Sequence, residues 1–167
     1  MIKKYNDDNY YNMVNNILDT QEFLKIDNCI HHGISRLEHS LRVSYYSYKI
    51  AKFLRLDYKV TARAGLLHDF FTNEDQSRFK SYFNHSKIAL ENANKLFILS
   101  DKEKDIIKTH MFPANIGRIP KYLESWIVGV VDKVSCIYEI SLSYSRLFRF
   151  KLQNALVIVL FLSRRFF

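Results

Sequence analysis

The sequence predicts an all-α bundle of about six to seven helices. Four Gly and two Pro in 167 residues are few for a turn-rich sandwich or barrel, and this scarcity favours long helices with short connections. Apolar residues recur at intervals of three and four along most of the chain, which is the period of amphipathic helices. The length suits one domain with a sizeable core, so we expect a single domain over 1–167.

The N-terminal region predicts one helix followed by a loop. Five side chains at mostly helical spacing predict a helix over 8–25: Tyr11, Val14, Ile17, Leu18 and Phe23. The spacing is lost over 26–34, which contains the first glycine of the chain, Gly33. This stretch is typical of a loop.

Two helices with recognisable N-caps are predicted next. Ser35 and Asp57 are suitable N-caps, the first for a helix over 36–54 and the second for a helix that ends at His68. Residues four, three, four and three apart form the predicted buried stripe of the first of these helices: His39, Val43, Tyr46, Ile50 and Phe53.

The second half of the chain predicts a loop over 70–81 and then three further helices. The first of them carries a stripe in helical register: His85, Ala89, Ala93 and Leu96. Ser100 and Glu103 form a capping-box signature for the second, which Pro113 is expected to end, and Pro120 is expected to start the last long helix. The predicted buried side of that helix is Leu123, Ile127, Val130, Val134, Ile137 and Ile140.

The charge distribution concerns the C-terminal tail more than the rest of the chain. The net charge of +8 suits a polyanionic ligand or a solvated basic surface. No acidic residue follows Glu139, whereas five basic residues do: Arg146, Arg149, Lys151, Arg164 and Arg165. We expect 141–167 to form a helical tail that packs on the bundle or across a homodimer, with attachment to an anionic membrane surface as the less favoured alternative.

Other composition features narrow the class of protein. Cys29 and Cys136 are far apart in apolar contexts and form no metal-binding C-x-x-C pair, so we expect reduced core residues. The N-terminus is polar and the longest apolar run, 155–162, falls short of the roughly 20 residues that a spanning helix needs. We therefore expect a cytoplasmic protein. Binding to nucleic acid is suggested by charge alone, and we expect no specific nucleic-acid partner.

The strongest chemical signal is the dipeptide His68-Asp69 at the end of the apolar segment 64–67. A buried, unpaired carboxylate costs several kcal/mol, so this dipeptide indicates a bound cation or a dense hydrogen-bond network. His39 lies upstream and Asp132 downstream, each within a predicted helix. Imidazole and carboxylate together suit divalent metals such as Fe, Mn, Zn, Co or Ni.

The order of these residues resembles a known family. His39, then His68-Asp69, then Asp132, each in a helical context, is similar to the HD superfamily of metal-dependent phosphohydrolases over about 33–140. The resemblance implies a helical bundle in which these four side chains bind one or two divalent metals.

Two further histidines, His85 and His110, fall between Asp69 and Asp132. The resulting order is like that of the branch that hydrolyses diadenosine tetraphosphate symmetrically. The likeness implies a second metal, bound by these two imidazoles and bridged to the first by Asp69. The alternative is that one of the two histidines ends a helix and binds no metal.

The resemblance also implies a reaction, in which a metal-activated water attacks phosphorus in a nucleotide or a small phosphorylated substrate. The candidate residues that bind the substrate's phosphate groups are Arg36, one helical turn before His39, Lys133 and Arg118. The alternative for each is an ordinary surface cation. The predicted catalytic residues are Asp69, Arg36, Lys133 and Glu74.

Three alternatives stay open at this point. Glu74, beside Asp75, is an acid or base by weak analogy, or part of a charged loop. His31 contacts substrate, or is a polar loop residue. The whole protein is an enzyme, or a non-catalytic nucleotide or metal sensor of the same fold.

Overall fold

Helices dominate the computed structural model, which describes residues 5, 7–31, 33–77 and 85–163, with side chains of the last helix described up to 148. Within these residues lie eight α-helices and one two-stranded hairpin, so the predicted all-α class is confirmed. In chain order the elements are α1 (Asp8–Leu18), α2 (Gln21–Leu24), a 3-10 turn (Lys25–Asn28), β1 (Ile30–His31), β2 (Ile34–Ser35), α3 (Arg36–Phe53), α4 (Tyr58–Leu67), α5 (Asn73–Ser77), α6 (His85–Leu96), α7 (Asp101–Thr109) and α8 (Leu123–Ser163).

The single helix predicted over 8–25 is wrong, because the chain turns after Leu18 and restarts as α2. Ile17 and Phe23 are both fully buried. Six residues apart on one continuous helix they would point to different faces, and the turn allows both to enter the core. On α1, Val14, Ile17 and Leu18 are buried as predicted, but Tyr11 is exposed and Tyr10 is buried in its place.

The loop predicted over 26–34 contains more regular structure than expected. Its first residues complete the 3-10 turn, and β1 then pairs antiparallel with β2, with Ile30 opposite Ser35. Gly33 makes the turn of this hairpin at a φ of +84°, a conformation that glycine adopts without steric cost.

Helices α3 and α4 pack closely and carry the first three chemically important residues. Ser35 and Asp57 cap them through their side chains, as predicted. A Cβ atom added to Gly65 of α4 would lie 3.0 Å from the Cα of Ser44 on α3. The two backbones therefore approach closely because small residues meet at the contact.

The predicted buried stripe of α3 is wrong beyond Val43. Tyr46, Ile50 and Phe53 are 40–85% exposed. The buried side of the helix instead consists of Leu37, Ser40, Leu41, Ser44, Ser47, Tyr48 and Ala51. Because serine is small, α4 can pack against this side, and the bulkier residues are left on the opposite one.

The segment after α4 and the helix pair α6 and α7 agree in part with the predictions. Of the loop expected over 70–81, Phe70 and Phe71 are buried, α5 follows, and residues 78–81 lie outside the described part of the chain. The stripe of α6 is buried except for Leu96, which is exposed. The capping box that precedes α7 is confirmed, and α7 ends at Thr109, before Pro113.

Helix α8 departs most from the prediction. It begins at Leu123 rather than at Pro120, and it continues for 41 residues, so the predicted last helix and tail are one element. Four of the six residues of its predicted buried side are 56–68% exposed: Leu123, Val130, Val134 and Ile137. The side that packs on the bundle is largely polar: Glu124, Ser125, Val128, Val131, Asp132, Ser135 and Glu139.

Two further points concern this end of the chain. Arg164 and Arg165 lie outside the described residues. Among the described helices, none combines the length and the apolar character that crossing a bilayer would require.

Candidate metal centre

Five helices bring the six predicted metal ligands together. His39 lies on α3, His68 and Asp69 at the end of α4, His85 at the start of α6, His110 directly after α7 and Asp132 on α8, and all six side chains are buried. They form overlapping sets of three whose ligand atoms lie within 4.8 Å of one another, and Cys136 joins His39 and Asp132 in one further set. These clusters could hold a metal ion.

The ends of α4 and α7 orient two of the imidazoles. Nδ1 of His68 lies 2.8 Å from the carbonyl oxygen of Gly65, and Nδ1 of His110 lies 2.8 Å from that of Ile107. A carbonyl oxygen can only accept, so each Nδ1 carries the proton. In the neutral imidazole the lone pair is then on Nε2, which points toward the other ligands.

The first half of the cluster joins α3, α4 and α8. Nε2 of His39 lies 3.1 Å from Oδ1 of Asp132. Nε2 of His68 lies 3.6 Å from the same oxygen and 3.8 Å from Oδ2 of Asp69. Two imidazoles and two carboxylates thus converge on one small volume.

The second half of the cluster adds α6 and α7. Nε2 of His85 and Nε2 of His110 lie 3.0 Å apart, and they lie 3.4 Å and 3.5 Å from Oδ1 of Asp69. Asp69 therefore directs one carboxylate oxygen to each half of the cluster.

The donor atoms fit a divalent cation. Nε2 of His68 and Oδ1 of Asp69 are buried without a hydrogen-bond partner in the described part of the chain, and each such buried group costs about 1–3 kcal/mol. A cation would compensate both, and would also separate the facing nitrogens of His85 and His110. The mixture of imidazole and carboxylate suits first-row divalent metals.

Electrostatics within the cluster favour charged forms. Burial by itself lowers the pKa of His39, but hydrogen bonds with Asp132 and Glu139 outweigh it and raise this pKa to about 10. Burial would raise the pKa of Asp69 and of Asp132, yet the neighbouring histidines hold both well below their usual range. The carboxylates are thus ionised, and positive charge, on a proton or a metal, is stabilised between them.

Glu139 is a functional residue that the sequence reasoning missed. Its Oε2 accepts a hydrogen bond from Nδ1 of His39 at 2.9 Å, and Arg42 pairs with its Oε1. A carboxylate in this position holds the imidazole with Nε2 directed at the site. The available signal was spacing, because Glu139 follows Asp132 by seven residues and lies two turns along the same helix face.

Cys136 was expected to be a reduced core residue, and it is a half-buried free thiol. Its Sγ lies 3.7 Å from Oδ1 of Asp132, so it borders the cluster. Burial raises the pKa of the thiol, and the nearby carboxylates raise it further. The thiol is therefore protonated at neutral pH and can donate a weak hydrogen bond to Asp132.

Arg36 and Lys133, two of the predicted substrate-binding cations, form hydrogen bonds with residues next to the cluster or in it. Arg36 is buried, donates from Nη1 to the carbonyl oxygen of Phe71 at 2.7 Å, and lies over the Phe71 ring, which stacks on His85. Lys133 donates from Nζ to the carbonyl oxygen of His110 at 2.8 Å. Both side chains border the site, and their roles in catalysis stay predictions.

The remaining predicted residues lie around the second half of the cluster or apart from it. Arg118 donates to Oγ of Ser86, the neighbour of His85, at 2.9 Å. Glu74 is exposed on α5. The backbone of His31 is part of β1, but its side chain lies outside the described part of the structure.

Comparison with known proteins agrees with this geometry. The HD domain family model matches residues 36–136, more than half of the chain, and the matched segment contains all six of the predicted metal ligands. No curated protein and no solved structure matches the chain significantly. The order of His39, His68-Asp69 and Asp132, their convergence and the family match lead to one conclusion: the chain belongs to the HD domain family, whose members are typically metal-dependent phosphohydrolases.

Proposed function

We propose that this protein is a metal-dependent phosphohydrolase that cleaves a nucleotide or another small phosphorylated molecule. The observation that carries the proposal is the position of Asp69, with Oδ2 directed to His68 and Oδ1 directed to His85 and His110. A carboxylate shared by two sets of imidazoles supports a centre of two metal ions. Two adjacent metals are a recurrent arrangement in enzymes that hydrolyse phosphate esters.

In this proposal each residue of the cluster has a specific role. His39, His68 and Asp132 would hold the first ion, His85 and His110 the second, and Asp69 both. Bound metal would lower the pKa of a water from about 15.7 toward 7 and neutralise charge on the phosphoryl oxygens. Glu139 would keep the proton on Nδ1 of His39, so that Nε2 remains available as a ligand.

A nucleotide substrate is supported by the ligand order and by the cations near the cluster. The order His, His-Asp, His, His, Asp is like that of the branch that acts on diadenosine tetraphosphate. Arg118 donates to Ser86, the neighbour of His85, so its guanidinium would bind phosphate groups of a substrate near this histidine. Arg36 donates a hydrogen bond to the carbonyl oxygen of Phe71 and lies over its ring. We propose that it acts mainly by holding that ring against His85.

A second function, a sensor that binds metal and nucleotide without turnover, is favoured by one observation. Asp75, the carboxylate beside the predicted acid Glu74, accepts hydrogen bonds from the backbone and hydroxyl of Thr72 and from the amide of Asn92. These contacts give it a structural role at the start of α5 rather than the role of an acid. A sensor would retain the metal cluster and lack a proton donor for the leaving group.

One experiment tests the proposal and separates the two functions. Protein purified without chelator is analysed for bound metal and then assayed with Mn²⁺ or Fe²⁺ on a panel of nucleotides that includes diadenosine tetraphosphate. We expect metal in the wild type, release of phosphate or nucleotide, and loss of both in Asp69→Ala. Asp101→Ala, which removes an exposed carboxylate from α7, is the matched control and should behave as the wild type. Nucleotide binding without turnover would favour the sensor, and protein that binds no metal would overturn both.

A further inference from the structure

Helix α8 carries a second surface on the side opposite the metal centre. Eight residues spaced alternately four and three apart form a stripe that we call the α8 seam: Leu123, Ile127, Val130, Val134, Ile137, Ser141, Tyr144 and Phe148. This alternation is the heptad pattern of helices that pair in coiled coils. Asp132 and Glu139, seven residues apart, lie on the face turned toward the cluster, so one helix serves two separate surfaces.

The α8 seam is mostly apolar and exposed: Ser141 is its polar member, and all but the half-buried Ile127 are exposed. Among its members, Val134, Ile137 and Tyr144 are 60%, 68% and 70% exposed. None of its eight positions carries a charge. Scattered exposed apolar side chains are normal on a monomer, but a long stripe of them along one helix face marks an interaction surface.

The length of α8 also indicates that the helix has an interaction surface outside the bundle. A helix of 41 residues spans roughly 60 Å, about twice the diameter of a small domain. The matched family region ends at residue 136, and the helix continues for 27 further residues, to Ser163. Tyr144 and Phe148, which lie in this extension, are 70% and 68% exposed, so these two side chains are left largely uncovered by the described part of the bundle.

Neighbouring residues enlarge the exposed surface. A groove of about 570 Å³ runs between α3 and α8, lined by Tyr46, Ile50 and Val130 among others. Phe53, Trp126 and Tyr138 are also exposed along these helices. Aromatic side chains bury about 150–250 Å² each when covered. A contact that covered the groove residues and the α8 seam would therefore bury roughly 1,000 Å² of apolar surface per chain, compared with about 800 Å² per partner in a standard interface.

We propose that two copies of this chain form a homodimer through the α8 seam, with α8 of each copy lying against α8 and the α3 groove of the other. A second copy fits because the stripe is narrow and follows the heptad period, which matches the surface of another helix bearing the same stripe. An amphipathic helix that lies on a membrane usually has a wider apolar face with basic residues along its polar side. On α8 the opposite face between residues 124 and 139 is buried and carries Glu124, Asp132 and Glu139.

The test is the mass of the full-length protein in solution. Sedimentation equilibrium should give twice the 19.9 kDa of the chain. The double variant Val134→Glu/Ile137→Glu should sediment as a monomer, because two buried carboxylates per chain would face their copies across the contact. Asn94→Glu, which adds a carboxylate at an exposed position of α6, is the matched control and should remain dimeric.

A second variant, which should strengthen the dimer, distinguishes loss of the contact from misfolding of the double variant. Ser141 is the polar member of the α8 seam, and Ser141→Leu should lower the dissociation constant of the dimer by about tenfold or more, since two leucines would be buried. Circular dichroism establishes that each variant retains its helix content.

Three results would overturn the dimer. The first is a wild type that stays monomeric at about 100 μM, weaker than expected for an interface of standard size. The second is a Val134→Glu/Ile137→Glu variant that remains dimeric, which would place the contact elsewhere. The third is a monomer that sediments with vesicles of phosphatidylcholine and phosphatidylserine and loses this binding in the double variant, which would assign the surface to a membrane.

Discussion

Nδ1 of His39 lies 2.9 Å from Oε2 of Glu139, and Nε2 of the same ring lies 3.1 Å from Oδ1 of Asp132. The imidazole is thus held between a carboxylate on the ligand side and a carboxylate behind it. Both carboxylates come from one face of α8, two helical turns apart. This relationship links the orientation of a proposed metal ligand to the packing of α8 on α3.

Replacing Glu139 by Gln should weaken metal binding without removing a ligand. The amide keeps the shape of the side chain but loses the charge that orients His39 and increases its basicity, and partners of this kind are typically worth 10–100-fold in metal affinity. Calorimetric titration with Mn²⁺ measures the change. Glu38→Gln is the matched control, since Glu38 pairs with Arg42 on the same helix, and its affinity should change less than about threefold. Equal affinity in Glu139→Gln and the wild type would contradict the assigned role.

The two halves of the cluster should lose metal separately. His85→Ala removes a ligand from the half that faces Oδ1 of Asp69, so the bound metal should fall by about one equivalent while the other site stays filled. His39→Ala should empty the other half. Elemental analysis after desalting provides the count. Retention of the full wild-type metal content by both variants would show that these histidines are not ligands.

Gly65→Ala should destabilise the fold through the contact of α3 with α4. The added Cβ would lie 3.0 Å from the Cα of Ser44, and overpacking of this kind costs about 1–3 kcal/mol, against a helix-propensity gain of about 1 kcal/mol. We expect a net loss of up to about 2 kcal/mol in the free energy of unfolding. In the control, Gly117→Ala, the nearest atom is 3.9 Å away, so the midpoint of urea unfolding should be almost unchanged. A Gly65→Ala protein more stable than the wild type would show that the two helices separate easily.

Glu124 should make the stability depend on pH. Its Oε1 accepts hydrogen bonds from Nζ of Lys102 at 2.7 Å and from the backbone N–H of Asp57 at 3.2 Å. Burial alone would raise the pKa of the carboxyl group, but the bond from Lys102 and the other donors outweigh it and lower the pKa. The stabilisation is therefore complete above the unfolded pKa of about 4.3 and is lost as the pH falls through the lower folded value.

The variant Glu124→Gln should reveal this dependence. It should lose about 1–2 kcal/mol of stability at pH 7, and its difference from the wild type should shrink as the pH is lowered below about 4. Glu91→Gln serves as the control, because Glu91 forms an exposed pair with Lys87 and should show little effect at any pH. A loss that is constant from pH 7 to pH 3 would mean that the charge of Glu124 does not contribute.

Helix starts and the identity of the site residues could be read from local sequence. Ser35, Asp57 and Ser100 were predicted as caps and are caps, because a cap depends on residues within three positions of itself. The histidines and aspartates of the cluster were predicted from their order along the chain, which resembles that of the HD superfamily, and the structure brings them together. Glu139 was missed because its importance depends on contact with His39, a hundred residues earlier in the chain.

The sequence by itself determined the helical class and most helix starts, since these depend on local propensity and capping. Its resemblance to the HD superfamily predicted the six histidines and aspartates that the structure brings into one cluster. The tertiary structure decided which face of each helix is buried. On α3 the serines rather than Tyr46 and Ile50 face the bundle, and on α8 Asp132 and Glu139 rather than Val134 and Ile137 do so. Apolar periodicity predicts a face that avoids water, but a polar face can be buried instead when other helices supply charged and hydrogen-bonding partners for it.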